Sequence, residues 1–128
     1  MKKSLMLFVL FLFFQSFSCS KNDGSTQNVD NEALVVKKKK IVTYINGFNC
    51  SSGIGCKSIA FGSKPCGGPM EYLVFSNAVD LLQLQAMVAE YNQSEAAYNL
   101  QYGISSDCMV VSPPANIGCV NGQCAIVK

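Results

Sequence analysis

The chain contains no histidine and no arginine. Without histidine it has no Ser-His or Cys-His nucleophilic pair and no zinc site with an imidazole ligand. Without arginine it must draw all its positive charge from lysine, and the lysines are unevenly placed. Residues 41–128 hold three (Lys57, Lys64, Lys128) against five carboxylates (Glu71, Asp80, Glu90, Glu95, Asp107), a balance of −2. The formal net charge of +2 therefore comes from the residues before them. The electrostatic footprint of a nucleic-acid binder is missing, and that class is excluded. A C-x-x-C pair is missing too. The nearest cysteines are Cys119/Cys124 and Cys50/Cys56, with four and five residues between them. Redox enzymes use the closer spacing so that one thiolate attacks and the other resolves, which argues against an oxidoreductase. The apolar run Leu5–Phe14 has only ten residues, too few to span a bilayer as a mature helix.

What is present is cysteine, seven in 128 residues, dividing as one plus six. Met1-Lys2-Lys3 is a positive n-region, Leu5–Phe14 an apolar h-region, and Gln15-Ser16-Phe17-Ser18 leads to Cys19. Small Ser18 directly before Cys19 suits a lipoprotein signal peptidase. The leader resembles the relaxed lipoboxes of Bacteroidota lipoproteins, although Ser16 and Phe17 depart from the commonest pattern. The expectation is a signal peptide over 1–18 and an acylated Cys19. The competing reading is an ordinary secretory signal cut nearby, which would leave Cys19 a stray thiol. The other six, Cys50, Cys56, Cys66, Cys108, Cys119 and Cys124, form an even set in a small exported domain, which reads as three disulfides.

Residues 19–40 read as a flexible tether. Ser20–Lys40 is rich in Asn, Asp, Gly, Ser, Thr, Gln and Lys, a composition that buries too little to offset the entropy of ordering it. Lys37-Lys38-Lys39-Lys40 closes the tether, either as a solvated charge run or as a contact for anionic head groups. Ser20-Lys21-Asn22-Asp23 resembles the short Lys/Asp signals that direct some such lipoproteins to the cell surface.

Residues 41–128 are long enough for one core, and only a marginal one without staples. Ile41-Val42-Thr43-Tyr44-Ile45 is β-branched and aromatic and predicts a strand ending at Asn46-Gly47. A glycine-rich loop follows, within which Cys56–Phe61 can form a short strand. Met70–Phe75 predicts a second strand, apolar on both faces and so expected centrally in a sheet. Leu81, Leu84, Val88, Tyr91, Tyr98 and Tyr102 recur at helical spacing, with Asn77 as cap, Asp80 in the first turn and Gly103 as stop. Cys108–Val111 predicts a further strand, and Asn121-Gly122 a tight turn in the returning segment 117–127. The expected fold is α+β, one long helix on a small, mainly antiparallel sheet, stapled by disulfides whose six cysteines allow 15 pairings.

Three constellations could carry chemistry. Cys50, Cys56, Cys119 and Cys124 could offer four thiolates to zinc, but their spacing is not C-x2-C and exported thiols oxidise first. Neither a metal nor a cofactor is expected. Glu95 among Tyr91, Tyr98 and Tyr102 could line a pocket, though a glutamate in such company usually accepts a hydrogen bond from a phenol. The loop Gly62–Pro69, with Lys64, Gly67 and Gly68, could present backbone N–H groups and a charge to a ligand. It lacks the spacing of a phosphate-binding loop and also reads as a structural turn anchored by Cys66.

Gly62-Ser63-Lys64-Pro65-Cys66-Gly67-Gly68-Pro69 with Tyr72-Leu73-Val74, then Ser106-Asp107-Cys108, then Cys119-Val120-Asn121-Gly122-Gln123-Cys124, resembles an uncharacterised family of small cysteine-rich exported bacterial proteins. The resemblance covers Cys56 to the C-terminus. It implies a fold and carries no activity, ligand or catalytic residue. The expectation is an envelope lipoprotein, held to the outer membrane by the lipid on Cys19 on the periplasmic or outer face. Its expected role is a non-enzymatic binding or structural module with an unidentified protein partner. The alternatives are a thiol–disulfide exchange protein and an inhibitor of an extracellular enzyme.

Overall fold

The computed structural model describes residues 24–128, so the leader, Cys19 and the Ser20–Asp23 signal lie outside the described residues. The order of elements is α1 (Gly24–Asn46), β1 (Cys56–Phe61), β2 (Glu71–Ser76), α2 (Leu81–Gln101), β3 (Ile117–Val120) and β4 (Gln123–Ile126). The class is α+β, with two helices and two separate two-stranded antiparallel sheets, β1–β2 and β3–β4.

The expected tether is the first difference. From Gly24 onward it is helical, and α1 continues through Ile41–Ile45, the expected first strand. The reason is spacing. Leu34, Ile41 and Ile45 fall on one stripe of a 3.6-residue helix and all three are buried. A β-branched run prefers strand only weakly, and packing of a stripe decides against it. The expected boundary at residue 41 therefore falls in the middle of a helix. α1 stops at Gly47, whose N–H reaches back to the Thr43 and Tyr44 carbonyls.

α1 and α2 run antiparallel: the start of α1 meets the end of α2, and the end of α1 meets its start. Gln27 Nε2 donates to Tyr98 Oη, the Tyr102 hydroxyl to Asp30 Oδ2 at 2.6 Å, and Lys37 to Glu90 and Ser94. Further along, the Tyr44 hydroxyl donates to Gln83 Oε1. The lysine run is thus divided. Lys37 holds α2, Lys38 pairs with Glu71 and lies over the Phe61 ring, and Lys39 and Lys40 are exposed. The Lys37 ammonium, first by its hydrogen bond and then by its charge, holds the Glu90 carboxyl below its ordinary range.

Asp80 caps α2. Its carboxylate accepts from the Gln83 N–H at 3.1 Å, so the cap lies three residues past the expected Asn77. Gly103, at φ +59°, ends the helix as expected. Of the predicted stripe, Leu84, Val88 and Tyr91 are buried, Tyr98 and Tyr102 half-buried, and Leu81 exposed. The core lies between the two helices and the β1–β2 hairpin. Phe61 stacks on Tyr91 at 4.3 Å, and Phe75 and Val79 close it.

β1 and β2 pair from Cys56↔Ser76 to Phe61↔Glu71. Ile59 and Leu73, directly opposite one another, face the helices. β2 is bordered by β1 alone within its sheet and is not the central strand expected. Cys56 points to the other face by the alternation of a strand, and there it is bonded to Cys124 of the second hairpin. The turn of that hairpin has Asn121 at φ +51° and Gly122 at φ +79°, the geometry that Asn-Gly adopts in a type I′ turn. The expected strand at 108–111 is irregular instead. Met109 and Val110 are exposed there, with no strand partner to pair with.

The Tyr102–Asp30 contact makes the helix pair sensitive to alkali. The hydrogen bond to Asp30, then burial, then the Asp30 charge push the Tyr102 phenol up to about 12. A folded-state pKa above the unfolded one stabilises fully below the unfolded value and is lost as pH rises through the folded one. Urea midpoints of the wild type are therefore expected to fall between about pH 10 and 12 relative to Tyr102→Phe, which has no phenol to ionise.

Candidate functional site

Three disulfides pin the domain, Cys50–Cys119, Cys56–Cys124 and Cys66–Cys108. Each joins a residue before α2 to one after it. Cys119 and Cys124 are direct partners across β3–β4, so two of the bridges leave from one rung of that hairpin. Their mates are brought together by a tight turn in which Ser51 and Ile54 exchange two backbone hydrogen bonds. The junction is reinforced without sulfur. Cys50 N–H donates to Gly122 O, Gln123 Nε2 to Asn49 Oδ1, and the buried Ser76 hydroxyl to Asn49 O. The four cysteines considered as a zinc set are therefore one cluster, with all four sulfurs in disulfides and no thiolate to offer a metal.

The glycine loop between β1 and β2 is held from three sides. Lys64 N–H bonds to Gly68 O and Gly67 N–H to Lys64 O, with Gly67 and Gly68 at φ +92° and +83°, a conformation that L side chains rarely adopt. The Lys64 ammonium is buried, only 7% of its side chain exposed, and donates to Asp107 Oδ1 and Met109 O at 2.8 Å each. It straps segment 107–109 to the loop, and Cys66–Cys108 repeats that link covalently. Lys64, Gly67 and Gly68 belong to one tight turn, and the charge of Lys64 is spent inside the protein.

The third hold was not foreseen in the sequence. Asn92, Glu95 and Asn99 follow one another along a single face of α2. Asn92 Oδ1 accepts from Gly62 N–H, Glu95 Oε2 from Ser63 N–H at 2.6 Å, and Asn99 Nδ2 donates to Ser63 O. The signal in the sequence is their spacing of three and four residues, which sets all three on one side of a helix. Glu95 also accepts from the Tyr91 hydroxyl, so the glutamate among tyrosines does bond a phenol. Burial first, then the Glu95 charge and hydrogen bond, push the Tyr91 phenol well above its ordinary value.

Gly62 is where the clamp leaves no room. At φ +83° a Cβ would stand 2.7 Å from Met70 Cβ and 2.9 Å from Glu95 Oε2. Gly62→Ala is expected to cost about 1–3 kcal/mol and to raise hydrogen exchange at the Ser63 amide, read by native-state exchange. Beside the loop is a groove of about 480 Å³ lined by Pro65, Gly67, Ala96, Leu100 and Ile104 among others, with Leu100 86% exposed.

Compared with protein-family models, with curated proteins and with solved structures, the chain gives no match.

Proposed function

We propose that this chain is a lipid-anchored module of the bacterial cell envelope, with a non-enzymatic binding or structural role. One observation carries the reading. Of the five carboxylates of residues 41–128, four hold elements of the fold to one another and the fifth caps its own helix: Glu71 and Glu90 pair with lysines of α1, Glu95 clamps the glycine loop, Asp107 pairs with Lys64, and Asp80 caps α2. Acid–base catalysis needs such a group facing a substrate, within hydrogen-bond reach of the proton it moves. The polar side chains of this domain instead support rigidity. A rigid loop presents a surface at low entropic cost, which suits a protein partner or an inhibited enzyme. The groove edged by Pro65 and Leu100 is the surface where that partner contacts the loop.

The test has two arms. Cys19→Ser is expected to move the protein from the membrane fraction to the soluble one and to abolish labelling by a palmitate analogue. The purified domain is expected to leave the reduction of insulin by dithiothreitol unaccelerated. Acceleration would replace the binding reading with thiol–disulfide exchange, and a membrane-bound Cys19→Ser would remove the anchor.

A further inference from the structure

Two disulfides meet at one place. The Sγ atoms of Cys50, Cys56 and Cys124 all lie within 4.8 Å of one another, although Cys50 is bonded to Cys119 and Cys56 to Cys124. The two bridges differ in access. Cys119 is exposed, Cys56 and Cys124 are half-buried, and Cys50 is buried at 6% exposure. Of these four residues Cys119 is the one most open to a thiolate arriving from solvent.

We propose that Cys50, Cys56, Cys119 and Cys124 form an internal thiol–disulfide exchange site, entered at Cys119 by an exogenous small-molecule thiolate. Exchange proceeds by attack of a thiolate on a disulfide sulfur. The incoming thiolate bonds to Cys119 Sγ, breaks the Cys50–Cys119 bond and releases the Cys50 thiolate. That thiolate already lies within 4.8 Å of the second bridge. It bonds to Cys56 Sγ, breaks Cys56–Cys124 and releases the Cys124 thiolate. Cys124 then bonds to Cys119 Sγ and expels the original thiolate unchanged. Two disulfides are broken and two formed, with no net oxidation or reduction.

Both products join residues that the fold sets beside one another. Cys119 and Cys124 are directly opposed in the β3–β4 register. The Asn116–Val127 hydrogen bond sets the alternation of that ladder and makes 119/124 a non-hydrogen-bonded pair. Such pairs stand about 4.5 Å apart at Cα, within the range a disulfide spans. Cys50 and Cys56 flank the Ser51–Ile54 turn, their sulfurs already neighbours. The product pairing, Cys50–Cys56 with Cys119–Cys124, is local on each side. It removes both covalent ties between the β3–β4 hairpin and the body. Cys66–Cys108 is exposed at both ends but is not part of the cluster, and opening it leads no further. The proposal goes beyond the binding-module reading and does not depend on lipid at Cys19.

Two experiments test it on the full chain. In the first, substoichiometric glutathione is added at mildly alkaline pH without oxygen, and disulfides are mapped by mass spectrometry after an acid quench. Because the native bridges close the longer loops, the native pairing stays the major species, and the expected result is Cys50–Cys56 together with Cys119–Cys124 as a minor product, at constant total free thiol. Bridges between either set and Cys66 or Cys108 would indicate global unfolding and overturn the proposal, as would failure of the new pairs to form. In the second, Cys119→Ser leaves Cys50 as the resident thiolate, with no exogenous thiol needed. Alkylation is expected to divide between Cys50 and Cys124. Alkylation of Cys50 alone, in a chain that keeps its helical circular dichroism, would overturn the proposal.

Discussion

Ile41→Ala is expected to lower the unfolding free energy by about 2–5 kcal/mol, the range for truncating a fully buried aliphatic side chain. Ile41 is 2% exposed and sits where α1 meets the core formed with Phe61, Phe75 and Leu84. Val36, five residues earlier on the outer face of the same helix, is 66% exposed. Val36→Ala is expected to change stability by no more than about 0.5 kcal/mol. The contrast is the informative part. If α1 were a tether outside the domain, both substitutions would be equally silent in a guanidinium titration. The structure requires them to differ, with a lower midpoint for Ile41→Ala and an unchanged slope.

The second large effect is non-additive loss of the paired disulfides. Cys50–Cys119 and Cys56–Cys124 span 69 and 68 residues, but with Cys66–Cys108 in place either one alone closes a ring of about 29 residues, worth about 3.6 kcal/mol in the chain-entropy account. The two loops are nearly the same loop, however. With one bridge in place, the other closes only the short ring through residues 50–56 and 119–124, worth about 3 kcal/mol. Removing either bridge by a double Cys→Ala substitution is therefore expected to cost about 3 kcal/mol, and removing both about 6.5 kcal/mol. A loss of that size is comparable to the whole stability of an ordinary small domain. The four-fold variant is expected to be unfolded at 25 °C by circular dichroism, while each double variant stays folded. Equal and additive losses of more than about 4 kcal/mol would contradict the shared-loop geometry.

Much of the fold was legible in the sequence where the signal is local. Asn121-Gly122 fixed a hairpin because its turn needs two positive φ values that few other residues accept. Gly103 marked the end of α2 for the same reason. β1 and β2 fell within a residue of their expected places. What failed was α1, and the cause is physical. Its polar residues look like a tether because their partners, Tyr98, Tyr102, Glu90 and Glu71, are 33 to 72 residues away. Composition cannot register a salt bridge to a distant helix.

The candidate site divides in the same way. Cysteine number and parity gave the disulfides, but the pairing depends on which rung of β3–β4 carries Cys119 and Cys124. Lys64 stood as a possible ligand contact, beside the reading of its loop as a structural turn, because nothing in the chain shows that segment 107–109 returns to cover it.

The central claim is that every cysteine of the body is spent on a staple. It is tested most directly by the intact mass of the natural protein, alkylated with iodoacetamide before and after reduction. The account predicts no alkylation of the body cysteines before reduction and six alkylated after it, on a chain that begins at an acylated Cys19. Alkylation of any body cysteine without reduction would contradict it.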